Sequence, residues 1–150
     1  MKKLLILSLL IISVYSYAQK SGLEWLTDFE LAKKESKTQD KPILMYFTGS
    51  DWCAPCKKLK VDFFNSKKFL KASYNVILLK IDLPRSNKLI SPEQKRKNML
   101  LMQRYNRRGS FPTLVGLTHE GKILKEINGY NRDGDTSKHF QFLETVISKY

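Results

Sequence analysis

The two cysteines of the chain, Cys53 and Cys56, lie in the stretch FTGSDWCAPCK (residues 47–57), with Trp52 in front and Lys57 behind. Two thiols separated by two residues can close a structural disulfide, supply half of a metal site, or cycle between dithiol and disulfide. As a staple the pair is badly placed, because the entropy a disulfide removes from the unfolded chain grows with the loop it closes. A tetrahedral zinc site needs four ligands, and the remaining candidates, His119 and His139, fall in a hairpin turn and in the last helix without ligand spacing. Each histidine therefore reads as an exposed polar side chain, and neither a metal nor another cofactor is expected. Redox cycling is the use that fits the spacing best.

That chemistry needs a helix start. A helix is expected to begin at Cys53, with Pro55 in its first turn, where no hydrogen-bond donor is required of it, and with Cys56, Leu59 and Phe63 on one face. Cys53 then projects from the loop end while Cys56 faces the core. Unpaired backbone N–H groups and the helix dipole favour a thiolate at Cys53, and such sites lower a thiol pKa from about 8.5 to within roughly 3.5 to 7.5. Cys53 is the expected attacking sulfur, and Cys56 is placed to resolve the mixed disulfide. Whether the pair reduces or oxidises depends on its reduction potential and on the partner that recharges it.

Several elements must position the pair. Thr27-Asp28-Phe29-Glu30 reads as a capping box opening a helix that runs to about Lys37, and Pro42 to Thr48 (PILMYFT) reads as a strand buried on both faces. After the Cys53 helix, Asn65-Ser66 interrupts and Lys67 to Ala72 forms a further short turn. Val76 to Asp82 (VILLKID) is a second buried strand. Ser91, Pro92 and Gln94 mark a strong helix start, with Met99, Met102 and Tyr105 following at helical spacing. Pro112 to Thr118 and Lys122 to Asn128 form a hairpin about His119-Glu120-Gly121, and a final helix from about Thr136 carries Phe140, Leu143 and Ile147 on one face. The order is α, β, α, β, α, β, β, α, with a small strand expected around Trp25. Strands separated by helices are expected to be parallel neighbours, and the hairpin adds an antiparallel pair, giving an α/β fold with a mixed sheet covered by helices on both faces.

The first eighteen residues, MKKLLILSLLIISVYSYA, have the form of a secretory signal peptide: Lys2 and Lys3, an apolar run from Leu4 to Val14, and small residues at Ser16 and Ala18. Cleavage between Ala18 and Gln19 leaves residues 19–150, enough for one domain with a real hydrophobic core and too few for two. The expected location is periplasmic or secreted. The net charge of +13 is spread along the chain with no nucleic-acid motif beside it, so nucleic acid is not an expected partner. Anionic headgroups or acidic proteins suit such a surface better.

A buried strand, then Trp52-Cys53-x-x-Cys56-Lys57 opening a helix, then Phe111-Pro112-Thr113 opening another strand about sixty residues later, resembles the thioredoxin superfamily, over roughly Trp25 to Tyr150. The stretch FTGSDWCAPCKKL is most similar to exported thioredoxin-like domains of bacteria, related to the C-terminal domain of the transmembrane thiol-electron transporter. The resemblance implies that Cys53 is the nucleophile, Cys56 the resolving thiol and Trp52 an aromatic shield. It implies that Pro112 is a cis-proline, that Phe111 offers main-chain hydrogen bonds to a bound polypeptide, and that Gly129-Tyr130 is the glycine loop near the site. It departs from the family at Tyr46, where thioredoxins carry a buried acid; Asp51, beside the motif, reads as exposed. Arg107 and Arg108, just before the proline motif, could stabilise thiolates or select acidic clients.

The implied function is an exported thiol:disulfide oxidoreductase acting as a monomer on cysteines of other exported proteins. Ala54-Pro55 resembles the Gly-Pro of reducing thioredoxins and lacks the histidine of oxidases and isomerases, which favours reduction and implies a membrane thiol reductant as recharging partner. The alternatives are a periplasmic oxidase or isomerase, or a non-catalytic binding or redox-sensing module.

Overall fold

The computed structural model describes residues 23–150. The expected signal peptide, residues 1–18, lies outside the described residues, as do residues 19–22. Helix α1 (Phe29–Gln39) leads into strand β1 (Ile43–Thr48); α2 (Ala54–Leu59) continues as a π-helical turn (Lys60–Phe64) and is followed by α3 (Lys67–Ala72). Then come β2 (Ile77–Asp82), α4 (Pro92–Tyr105), β3 (Thr113–Leu117), β4 (Ile123–Asn128) and α5 (Ser137–Ser148). Among the described residues no helix is long and apolar enough to cross a membrane.

The four strands form one mixed sheet in the order β2-β1-β3-β4. β1 and β2 are parallel, as two buried apolar runs joined through helices should be. The expectation that strands separated by helices are parallel neighbours fails for β3, which pairs with β1 and runs antiparallel to it. The register explains why: Thr113 lies opposite Phe47, so β3 starts where β1 ends. That brings Phe111 and Pro112 to the end of the sheet from which Cys53 departs. The predicted hairpin is present as β3 and β4, and the segment near Trp25 contributes one parallel bridge, Leu26 to Leu79.

Every residue of β1 is buried, because helices cover both faces of the sheet. On one face Ile43, Met45 and Phe47 pack with Leu79, Ala32 of α1 and Tyr105 of α4. On the other, Leu44, Tyr46 and Leu114 meet the two cysteines, Phe63, and the inner face of α5. The wider π turn lets two consecutive residues, Phe63 and Phe64, both point inward at 0% and 2% exposure. Their rings lie 5.2 Å apart, and Phe63 also meets Phe69 and Phe140 at 4.7 Å each. Gly116 of β3 is required by packing: a Cβ there would stand 2.2 Å from Val146 Cγ2 of α5.

Local expectations hold with instructive shifts. Asp28, rather than Thr27, caps α1, accepting the Leu31 N–H at 2.8 Å. Ser91 caps α4 as expected, but the Gln94 side chain does not close the box; it donates to the Thr27 carbonyl at 3.0 Å and to Asn98 at 2.8 Å. Asn98 is buried in place of the exposed Met99, and it donates to the Asp82 carbonyl at 2.7 Å. The inner face of α5 is His139, Phe142, Leu143 and Val146 together with Phe140, while Ile147 is only partly covered.

Candidate active site

Strand β1 ends at Thr48, and the turn Gly49–Trp52 carries the chain into α2. Cys53 is the N-cap of that helix: its N–H donates to the Gly49 carbonyl at 2.8 Å, and its sulfur accepts from the Cys56 N–H at 3.2 Å. Cys53 and Cys56 are joined by a disulfide, with their Cα atoms 5.3 Å apart. Pro55 sits in the first turn of α2 and is exposed. Lys57 reaches back over the turn, its ammonium donating to the Asp51 carbonyl at 3.0 Å.

The two sulfurs do not differ in exposure as the sequence suggested. Both cysteines are 2% exposed. Trp52 and Phe111 pack against the cluster that contains them, and the two rings meet edge to face with centroids 5.2 Å apart. Phe111 joins Pro112 through a cis peptide bond. Pro112 is buried and its carbonyl accepts the Gly129 N–H at 2.7 Å; Gly129 has φ of 78°, a conformation that favours glycine. The Thr113 hydroxyl lies 2.8 Å from the Ser110 carbonyl and 2.7 Å from Asn128 Oδ1, so it can donate to either. The structure thus brings Trp52, Phe111 and Pro112 into one wall, and Gly129 meets it through the proline carbonyl.

Two carboxylates near the turn do what the sequence did not reveal. Asp51 is only partly exposed, and its oxygens accept the N–H groups of Arg85 and Ser86 at 3.0 and 2.9 Å. Those bonds, that from Ser86 foremost, hold its carboxyl below the usual range. Asp82, buried at the end of β2 and opposite Thr48, accepts the Ser50 N–H at 3.0 Å. The Trp52 indole N–H completes the seam by donating to the Leu83 carbonyl at 2.9 Å, with the Arg85 guanidinium 5.1 Å from its ring centroid. The segment after β2 therefore fixes the Trp52 turn from the side. An acid closing the buried run VILLKID was the available signal for Asp82; Asp51 stood beside the motif but read as exposed, whereas it is half-buried, and nothing in the sequence marked Arg85.

Where thioredoxins carry an acid on β1, Tyr46 is buried and donates to the Cys56 carbonyl at 3.3 Å. Burial pushes its phenol up to about 12, so it stays protonated at neutral pH. His139 is buried rather than exposed, because it falls on the inner face of α5 between Phe63 and Tyr130. Burial holds its imidazole below the usual value, with the Gly129 backbone and Asp135 acting in the opposite direction. Among the described residues no group of three or more His, Cys, Asp or Glu side chains is placed to hold a metal ion.

A thioredoxin-like family model matches residues 24–117, which span the first three strands and the whole CxxC turn. The chain belongs to the thioredoxin-like family. Within it, the disulfide bond reductase DsbH of Chlamydia pneumoniae is 37% identical over 105 residues, covering 69% of this chain and 61% of that protein. The thiol:disulfide interchange protein DsbD of Campylobacter jejuni (strain RM1221) is 27% identical over 118 residues, covering 79% of this chain and 19% of its own length. Among solved structures, one titled DsbH oxidoreductase superposes with a TM-score of 0.73 at 30% identity, over 84% of this chain and 85% of the other. The chain thus spans less than two thirds of these two curated relatives. The superposition supports the α/β thioredoxin-like architecture expected from the sequence, and that is the architecture observed.

Proposed function

We propose that this chain is an exported thiol:disulfide oxidoreductase that reduces disulfides of other exported proteins. The observation that carries the reading is a Cys53–Cys56 disulfide at the N-terminus of α2, walled by Trp52 and the Phe111–Pro112 segment. The family relatives named as a disulfide bond reductase and a thiol:disulfide interchange protein support it. Export rests on the leader-like sequence of residues 1–18.

In the reducing cycle, the Cys53 thiolate attacks one sulfur of a client disulfide. A Cys53–client bond forms, the client disulfide breaks, and the departing thiolate takes a proton from solvent. Cys56, having given up its proton, then attacks Cys53 Sγ. The Cys53–Cys56 bond forms, the mixed disulfide breaks, and the second client sulfur leaves as a thiolate. Two electrons have moved from the pair to the client, and a membrane dithiol of the thiol-electron transporter class returns them. The helix N-terminus, including the Cys56 N–H already directed at Cys53 Sγ, favours negative charge on the attacking sulfur. Trp52, Pro55, Lys57 and Thr113 shape the turn and the wall; Phe111 offers the client main-chain hydrogen bonds, and Pro112 and Gly129, paired with each other through the Pro112 carbonyl, form the wall the client lies against.

The cysteine variants test this. Reduced protein starting at Gln19 is expected to release thiols from a peptide disulfide, and Cys53→Ser to release none. Cys56→Ser is expected to accumulate a covalent protein–peptide disulfide visible by mass spectrometry. Thiol release by Cys53→Ser at the wild-type rate would refute the assignment.

A further inference from the structure

A second feature borders the Phe111–Pro112 wall. Asn106, only 4% exposed, grips Ser110 from both sides: its side-chain amide donates to the Ser110 carbonyl at 2.8 Å, and its Oδ1 accepts the Ser110 N–H at 3.2 Å. The Gly109 N–H returns to the Asn106 carbonyl at 2.9 Å, and Gly109 has φ of 61°. Arg107 and Arg108 are held at the tip of this closed turn, and both are exposed. Neither forms an ion pair among the described residues.

Together with Arg104, Ile123, Glu126 and Asn128 they line a cleft of about 340 Å³. Three arginines and one glutamate line it; the Arg104 guanidinium lies 5.0 Å from the Tyr105 ring centroid, and the Glu126 carboxylate already accepts from the Asn128 amide at 3.2 Å. The cleft adjoins the client wall through two connections. Arg108 precedes Phe111 by three residues, at most about 11 Å of chain. Asn128 lies opposite Thr113 in the β3–β4 ladder, beside Pro112. At Arg107 and Arg108, a planar, always-charged fork with no ion-pair partner among the described residues suits a carboxylate. An extended peptide advances about 3.3 Å per residue, so an acidic side chain two to four residues from a client cysteine docked at Phe111 would come within range.

We propose that the Arg104–Arg107–Arg108 cleft is a client-selecting subsite that favours disulfides flanked by aspartate or glutamate. The proposal rests on the oxidoreductase reading, and the experiment separates the two. Fully reduced protein is given peptide disulfides of one sequence whose flanking positions are serine, aspartate or lysine, and kcat/KM is measured for each at low and at high salt. The wild type is expected to prefer the aspartate peptide over the lysine peptide by about tenfold at low salt, with high salt narrowing the gap. The R107Q/R108Q variant is expected to bring that ratio within about twofold, mainly through KM. A matched loss of charge at the exposed α1 lysines, K34Q/K37Q, is expected to keep the wild-type ratio, which separates a local subsite from the attraction of a basic protein as a whole.

Equal rates for the aspartate and lysine peptides, retention of the ratio in R107Q/R108Q, or an equal loss in K34Q/K37Q would each overturn the subsite. No thiol release from the serine peptide would instead overturn the oxidoreductase reading itself.

Discussion

Trp52 is the residue on which access to the disulfide turns. Its indole is fixed by the Leu83 carbonyl, lies edge to face on Phe111, and fits because residue 49 is glycine. A Cβ at Gly49 would stand 2.2 Å from Trp52 Cε2. Gly49→Ala is therefore expected to push the indole off its site and destabilise the fold by about 1 to 3 kcal/mol. It should also speed attack on the disulfide by dithiothreitol, because Cys53 loses its cover. Stopped-flow reduction rates check this, and a rate and tryptophan emission equal to wild type would contradict it. The spacing and residue types of Cys53, Cys56 and Trp52 were legible in the sequence, because they depend on local helix chemistry. The burial of Cys53 was not, because its cluster is closed by segments distant in the chain, Phe111 among them. The burial of His139 was missed because a histidine on the inner face of a helix looks, residue by residue, like any polar position.

At the scale of elements, the turn after β1 and the segment after β2 act as one unit. Ser50 donates to Asp82, and Asp51 accepts from Arg85 and Ser86, so each segment holds the other. The Asp51 carboxyl is depressed in the folded protein, so its contribution to stability is fully present above its ordinary value of 3.8 and is lost as pH falls through the lower folded value. Asp51→Asn removes that contribution, so the gap in urea midpoint between wild type and variant should be widest near pH 6 and close as the pH drops below about 4. A gap that is independent of pH would show that the carboxylate charge is not what holds the segments together. Strand identities were legible because PILMYFT and VILLKID are continuous apolar runs between turn residues. The pairing of β3 with β1 was not, since apolar runs carry no sign of direction when both faces are buried. The swap of Met99 for Asn98 was hidden because a tertiary hydrogen bond to the Asp82 carbonyl decides it, whereas the α1 cap was a choice between two adjacent capable residues that a local bond from Leu31 to Asp28 settles.

For the molecule as a whole, the sheet exists to bring two distant segments to one end. β1 delivers the CxxC turn there, β3 starts there with Phe111 and Pro112, and the hairpin returns Gly129 to the same place. The basic surface is uneven in effect, because Lys57, Arg85, Arg107 and Arg108 all lie on segments that border this end. Under the proposed function, direction of electron flow is a property of this whole assembly together with the dithiol proposed to recharge it. Ala54-Pro55 places no histidine beside Cys53, and a reduced thiolate without that support is the better electron donor. The most direct test is the reduction potential of the Cys53–Cys56 pair in protein starting at Gln19, equilibrated with defined thiol buffers. A value near about −270 mV, where thioredoxin sits, is the predicted result for a reductase. A value near about −120 mV, where a strong bacterial oxidant sits, would contradict it and make this a disulfide-forming enzyme.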